Sequence, residues 1–171
     1  MSATAPAPKK RSSANAPQIV PQEERDAFLN ALQRRTALRA FEVFTMAGSA
    51  PGDELSHWFQ AEKELLERIT DVRESGHWIH VNKSVQNIPA TAITILVERN
   101  RAIVAQAVTP SGTQSSDSGS ITNYFLAEWP GEVEPATASA YKKNGILTLM
   151  IEKSIPVSAS TKKSENANKS A

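Results

Sequence analysis

The chain has 171 residues, 19 Lys and Arg against 18 Asp and Glu, a formal net charge of +1 and no cysteine. That length holds one ordinary domain, or a small domain with an appendage. The near-neutral charge gives no field strong enough to gather nucleic acid. The missing cysteine excludes disulfides, thiolate metal sites and a cysteine nucleophile, and no apolar run approaches the ~20 residues that span a bilayer.

Residues 1–21 are rich in Ala, Pro, Ser and Lys and end in Gln18-Ile19-Val20-Pro21. Such a segment buries too little apolar surface to offset its ordering entropy, so a disordered tail is expected. Lys9-Lys10-Arg11 suits a solvated tail, or contact with nucleic acid or an acidic partner. No apolar core follows the basic residues, so the N-terminus does not read as a secretory signal. A cytoplasmic location is the default expectation.

From Glu23 to about Ala47 the residues favour helix, with neither Pro nor Gly. Glu23, Glu24 and Asp26 suit the positive end of the helix dipole. Phe28 and Leu32 make one stripe; Ala37, Ala40, Phe41 and Phe44 make another that does not line up with it, which suggests a bend near Arg34-Arg35. Gly48-Ser49-Ala50-Pro51-Gly52 breaks the helix, and Asp53 is placed to cap the next one. Leu55, Trp58, Glu62, Leu65 and Ile69 recur at helical spacing, with Phe59 and Leu66 widening the apolar side. Residues 22–68 therefore read as an antiparallel helical hairpin that packs on itself, on the following domain or on a second chain. Gly48, Pro51 and Gly52, then Leu55, His57-Trp58, Ala61-Glu62 and Leu65, resemble a small bacterial domain of unassigned function with a His-Trp-x-x-Ala-Glu signature. That resemblance implies no activity. It leaves His57 and Trp58 as either hairpin core or a partner surface.

From Ile69 the apolar period changes to two. Expected strands cover about 69–74, 77–85, 92–98, 102–108, 121–129, 136–142 and 146–153, with Pro89 excluding a central strand at 86–90. Trp78, His80 and Asn82 share one face, and Ile79, Val81 and Lys83 the other. Asn144-Gly145 is a tight hairpin turn between two strand-like runs. Beyond it Leu147, Leu149 and Ile151 alternate with Ile146, Thr148 and Met150, so both faces of that strand are expected to be covered or to border a filled groove. Thr109–Ser120 is a polar Ser/Gly loop with no apolar residue to dock. Seven short strands without intervening helices make an antiparallel, immunoglobulin-like β-sandwich over 69–153. The fold class is α+β: helical hairpin, then seven-stranded sandwich, between disordered termini.

Pro130, Val133-Glu134, Ala140, Asn144-Gly145-Ile146-Leu147-Thr148 and Lys153 fall without a gap on the closing pattern of the α-crystallin domain. This stretch resembles the small heat-shock protein family. Asp71-Val72, Ile93-x-Ile95-x-Val97 and Asn100 also fit, whereas the family's Leu-Pro-Gly motif reads Val85-Gln86-Asn87 here. The resemblance implies a stress-response chaperone: an ATP-independent holdase that binds exposed apolar segments of unfolding proteins and forms homo-oligomers. Its client groove would lie beside Ile95, Leu96, Ala138 and Ala140. Residues 154–171 would be a disordered tail in which Ile155 and Val157 of Ile155-Pro156-Val157 anchor in a neighbour's groove. The polar 109–120 loop offers no strand for the family's dimer exchange.

Catalytic chemistry is not expected. His77 and His80 point to opposite faces of a strand and do not converge on a metal, and no phosphate loop or nucleophile elbow is present. The reading is a non-enzyme without cofactor or metal. Its partners are unfolded or partner proteins, with no membrane; nucleic-acid association through the basic tails is a third and weaker reading. The alternative is a non-catalytic interaction or co-chaperone-like module that uses the hairpin, at His57 and Trp58, as its partner-binding element.

Overall fold

The computed structural model describes residues 16–48, 51–108 and 121–154. In chain order its elements are β1 (Gln18–Ile19), α1 (Arg25–Met46), α2 (Glu54–Leu65), β2 (Leu66–Arg68), β3 (Val72–Ser75), β4 (Trp78–Ser84), β5 (Ile93–Val97), β6 (Arg101–Val108), β7 (Ile121–Glu128), β8 (Ser139–Lys143) and β9 (Ile146–Glu152). The strands form a five-stranded sheet in the order β1-β5-β6-β7-β2 and a four-stranded sheet in the order β3-β4-β9-β8.

Alternation of apolar and polar residues sets the register. In β4, Ile79 and Val81 are buried while Trp78 and Ser84 are exposed; in β9, Leu147, Leu149 and Ile151 are buried. With Ile93, Ile95, Val104 and Phe125 they fill the space between the sheets, each contributing roughly 1.5–3 kcal/mol. The opposite face of β9 is not fully covered: Ile146 is exposed and Met150 half-buried. At the β8–β9 turn Asn144 and Gly145 both have positive φ, 50° and 75°. The tight turn requires this, and only Asn, Asp and Gly adopt it readily.

A second core lies on the outer face of the five-stranded sheet. Leu96, Ile103, Ala105 and Tyr124 meet Val20 and Leu32, with Phe28 and Leu29 packed around them. The Phe28 and Tyr124 rings sit edge to face, centroids 6.3 Å apart. The second half of α1 leaves the sheet and packs on α2. Arg39 pairs with Glu64 at 2.7 Å, and the Phe44 and His57 rings lie 5.9 Å apart. Those two pairs descend on α2 as they ascend on α1, so the helices run antiparallel.

Five expectations change. Residues 16–21 are not tail, because Gln18 and Ile19 pair in parallel with Thr94 and Ile95 of β5; residues 1–15 lie outside the described residues. Among the described residues the sandwich has nine strands rather than seven, and not all pairings are antiparallel: β1 with β5 and β2 with β7 run parallel. Its boundary also moves, since Leu66–Arg68 follow α2 directly and join the sheet. No bend interrupts α1 at Arg34-Arg35; the first stripe meets the sheet, whereas the second divides, with Phe44 against His57 of α2 and Phe41 left exposed. Asp53 makes no side-chain cap. Instead the Glu54 carboxylate accepts the Gly52 N–H at 3.1 Å. That bond and one from its own backbone N–H hold the carboxyl below the ordinary range.

One ion cluster ties the helical layer to the sandwich. Glu98, immediately after β5, accepts from Arg25 (Nε at 3.0 Å) and from Arg101 (Nε at 2.5 Å). Burial alone would raise the Glu98 carboxyl, but the Arg25 and Arg101 hydrogen bonds and charges outweigh it and hold it below its ordinary 4.5. A carboxyl depressed only in the native state adds stability that is complete above about pH 4.5 and lost as pH falls through the native value. Glu98→Gln is expected to lower the unfolding free energy at pH 7 by about 1–2 kcal/mol, allowing for screening at this rim. The difference from wild type should shrink below pH 4 in urea titrations. An equal gap at pH 3 and pH 7 would refute the ionic latch.

Candidate functional site

At the margin between β5 and β8, β1 occupies the outer edge of β5. Its Ile19 pairs with Ile95, the Val20 N–H donates to the Ile95 carbonyl at 2.8 Å, and β1 also touches β8. Pro17 and Val20 are buried and Ile19 is half-buried. Proline at positions 17 and 21 confines the strand to the residues between them, because proline has no N–H to give a ladder.

The residues expected to line an open client groove are placed as follows. Ile95 and Leu96 are 0 % and 2 % exposed. They are neighbours on one strand and so face opposite ways: Ile95 enters the inter-sheet core, and Leu96 lies beneath α1. Neither is free surface. Ala138 and Ala140 are half-buried against the inter-sheet core. The Lys142 ammonium donates to the Ile88 carbonyl beside them. The expected anchor residues Ile155 and Val157 lie outside the described residues, as does the 109–120 loop. The extended segment that pairs with the β5 backbone edge here is β1 itself, with apolar side chains on either side of it.

The hairpin presents a second surface, though not the expected one. His57 and Trp58 are half-buried. His57 packs against Phe44, with its Nδ1 buried and without a hydrogen-bond partner. Trp58 turns to α1, where it lines an open groove of about 590 Å³ with Ala27, Asn30, Gln33, Arg34 and Ala37. The apolar residues left outside are Leu38, Phe41, Met46, Leu55 and Phe59. Arg39 bridges the helices to Glu64, whose carboxyl is held below the ordinary range by hydrogen bonds from Gln60 and Arg39.

Among the described residues no three His, Asp or Glu side chains converge on a possible metal position. No described helix is long and apolar enough to cross a membrane. The buried role of Val20 and the doubly bonded Glu98 were not found from sequence. The one signal for the first was an apolar pair, Ile19-Val20, bracketed by two prolines.

No protein-family model and no curated protein sequence matches the chain. Solved structures to which it is similar are small heat-shock proteins. Heat shock protein 16.0 from Schizosaccharomyces pombe is 17 % identical, with TM-score 0.39, covering 58 % of this chain and 73 % of that one. A small heat-shock protein from Xylella fastidiosa is 15 % identical, with TM-score 0.40, covering 50 % and 84 %. HspA from Xanthomonas axonopodis is 13 % identical, with TM-score 0.41, covering 52 % and 93 %. At these identities no residue role passes from them to this chain.

Proposed function

We propose that the protein is a cytoplasmic, ATP-independent holdase of the small heat-shock type, which takes up extended apolar segments of unfolding proteins along the β5 edge when β1 leaves it. The observation that carries this reading is how little holds β1. Burying Val20, Pro17 and half of Ile19 contributes roughly 4–6 kcal/mol. Ordering the four residues from Pro17 to Val20 costs roughly 4–8 kcal/mol. The two nearly cancel, which is the condition for local opening well below the cost of global unfolding. An incoming strand would replace the β1 backbone pairing and set alternate side chains where Ile19 and Val20 now sit. A single short edge binds weakly once association costs ~4–15 kcal/mol, so retention of a client requires several edges in one assembly. No step in this mechanism calls for a catalytic group, a nucleotide or a metal.

The second reading is a non-catalytic interaction or co-chaperone-like module with the hairpin as its partner-binding element. It draws on the exposed apolar side of α1 and α2, with Leu55 and Phe59 in the place first given to His57 and Trp58.

Two measurements test the holdase. Light scattering of a heat-denatured client enzyme should be suppressed at an equimolar ratio, and more strongly by a chain carrying Ile19→Lys and Val20→Lys. Absence of suppression by both forms would overturn the reading. The same double substitution should cost less than about 2 kcal/mol of global stability, because β1 undocks rather than burying charge. Its binding of an apolar dye should rise. A loss of 4 kcal/mol or more, as expected of an integral core strand, would show that β1 is not displaceable.

A further inference from the structure

We propose that the cleft between α1 and the start of β7 is a binding site for a phosphate monoester, carried as phosphoserine or phosphothreonine on an extended segment of a partner protein. The described residues include eight arginines. Six of them, Arg25, Arg39, Arg68, Arg73, Arg99 and Arg101, make ion pairs with carboxylates. The two that make none among the described residues are neighbours, Arg34 and Arg35. Both line one open cavity of about 260 Å³, together with Ala31, Leu38, Thr122 and Tyr124.

The geometry follows from the two periods. Arg34 and Arg35 point about 100° apart on α1, and Ala31 and Leu38 lie between them, one turn before and one turn after. Thr122 and Tyr124 are two residues apart on β7, so they share the face that α1 covers. Tyr124 is fixed there, buried, with its ring edge to face on Phe28. Burial pushes its phenol above the ordinary value, although the Arg35 charge opposes this. The hydroxyl therefore keeps its proton at neutral pH and is able to donate.

No carboxylate lines the cavity, and each polar side chain that does is a donor. Adjacent guanidinium groups without counter-charge repel each other, and an anion between them removes that cost. The guanidinium fork matches a phosphate in shape, and such charged hydrogen bonds are roughly twice as strong as neutral ones. A phosphate monoester brings a charge of about −1.5 to −2 and three strong acceptor oxygens.

The surroundings also select the carrier. The cavity is smaller than the ~300–1,000 Å³ that encloses a whole small ligand, so it takes one group of a larger molecule. Its lining has no amide or carboxylate acceptor for sugar hydroxyls, and its one ring is buried rather than free to stack on a base. Leu38, exposed beside the arginines, seats the next apolar side chain of a phosphorylated segment. A membrane surface fits less well. Residues 22–46 carry Glu23, Glu24, Asp26 and Glu42, all exposed, which offset Arg25, Arg34, Arg35 and Arg39, so this face has no net positive charge to gather anionic headgroups. The site uses neither β1 nor the β5 edge, since β6 lies between β5 and β7.

The test is a titration of the full chain, followed by backbone amide NMR shifts. Its probes are an acetylated, amidated leucine-phosphoserine-leucine peptide, the same peptide without phosphate, inorganic phosphate, and vesicles of phosphatidylserine and phosphatidylcholine. The phosphopeptide should move the amides of Arg35, Thr122 and Tyr124, and should bind about tenfold more tightly than either the bare peptide or inorganic phosphate. Arg34→Gln with Arg35→Gln should weaken it about a hundredfold while leaving the urea midpoint unchanged, and Tyr124→Phe should weaken it about fivefold. Inorganic phosphate binding as tightly as the phosphopeptide would mean an adventitious ion only and would overturn the proposed partner. Vesicle binding that needs the arginine pair, without phosphopeptide binding, would overturn it in favour of a lipid headgroup. No shift at about 5 mM phosphopeptide, or undiminished binding by the double Gln variant, would overturn the site itself. No client protein enters the titration, so its result and that of the light-scattering assay stand or fall separately.

Discussion

Backbone pairing at the two edges of the five-stranded sheet determines how the helical layer sits. An unpaired strand edge is a row of open donors and acceptors that recruits foreign strands. Here β1 closes the β5 edge and β2 closes the β7 edge. The segment between β1 and β2 contains both helices, so its ends are fixed about four strand spacings apart, roughly 19 Å. The chain has to cross the sheet between them. Phe28, Leu29 and Leu32 make the crossing productive by covering Leu96, Ile103 and Tyr124. The remainder of α1 is longer than the sheet is wide, and α2 returns the chain to the β7 edge.

The two closures differ in strength. β2 pairs three residues, Leu66 to Arg68, with Tyr124 to Leu126. It is continuous with α2 and is followed by buried Ile69, whose N–H donates to the Leu126 carbonyl at 2.8 Å. β1 pairs two residues between prolines and has only Pro21 and one turn before α1. The four-stranded sheet protects its own edges by charge: Arg73 and Glu74 on β3 and Lys143 on β8 are exposed, and charged edge residues discourage further pairing. Three of the four sheet edges are thus closed firmly or guarded. The remaining one is held by the weakest element.

Strands β4, β5, β6, β7 and β9 were legible because each is long enough for apolar residues at a period of two, or a β-branched run, to show, and Asn144-Gly145 fixed the last hairpin. By contrast β3, with Val72 as its one apolar residue, begins three residues later than expected. Both helices were legible from composition and from their breaker residues. β1 and β2 were not, since two or three residues carry no period and their pairing partners are remote in sequence. The stripe on α2 misled for a different reason: spacing reveals which side chains share a face, but not which face finds cover when apolar residues outnumber the available surface. Trp58 and Ala61 took the α1 contact, leaving Leu55 and Phe59 outside. The groove expected at Ile95 and Leu96 overlooked an elementary consequence of the pleat. Adjacent residues cannot line one surface, and here each has its own core.

The latch at Glu98 connects these features. Arg25 opens α1, while Glu98 follows the last residue of β5, so the start of the helix is tied to the end of the strand that β1 borders. That tie adds to the packing of Phe28, Leu29 and Leu32 on the sheet in holding the start of α1. If β1 leaves the sheet as proposed, α1 keeps its own anchors, because they pass through Arg25, Phe28, Leu29 and Leu32 rather than through residues 18–20. Opening would then be confined to a few residues, as local fluctuations are when the neighbouring unit has its own anchor. The proposed mechanism thus asks only the strand edge to open, with the helical layer over the face of the sandwich still folded.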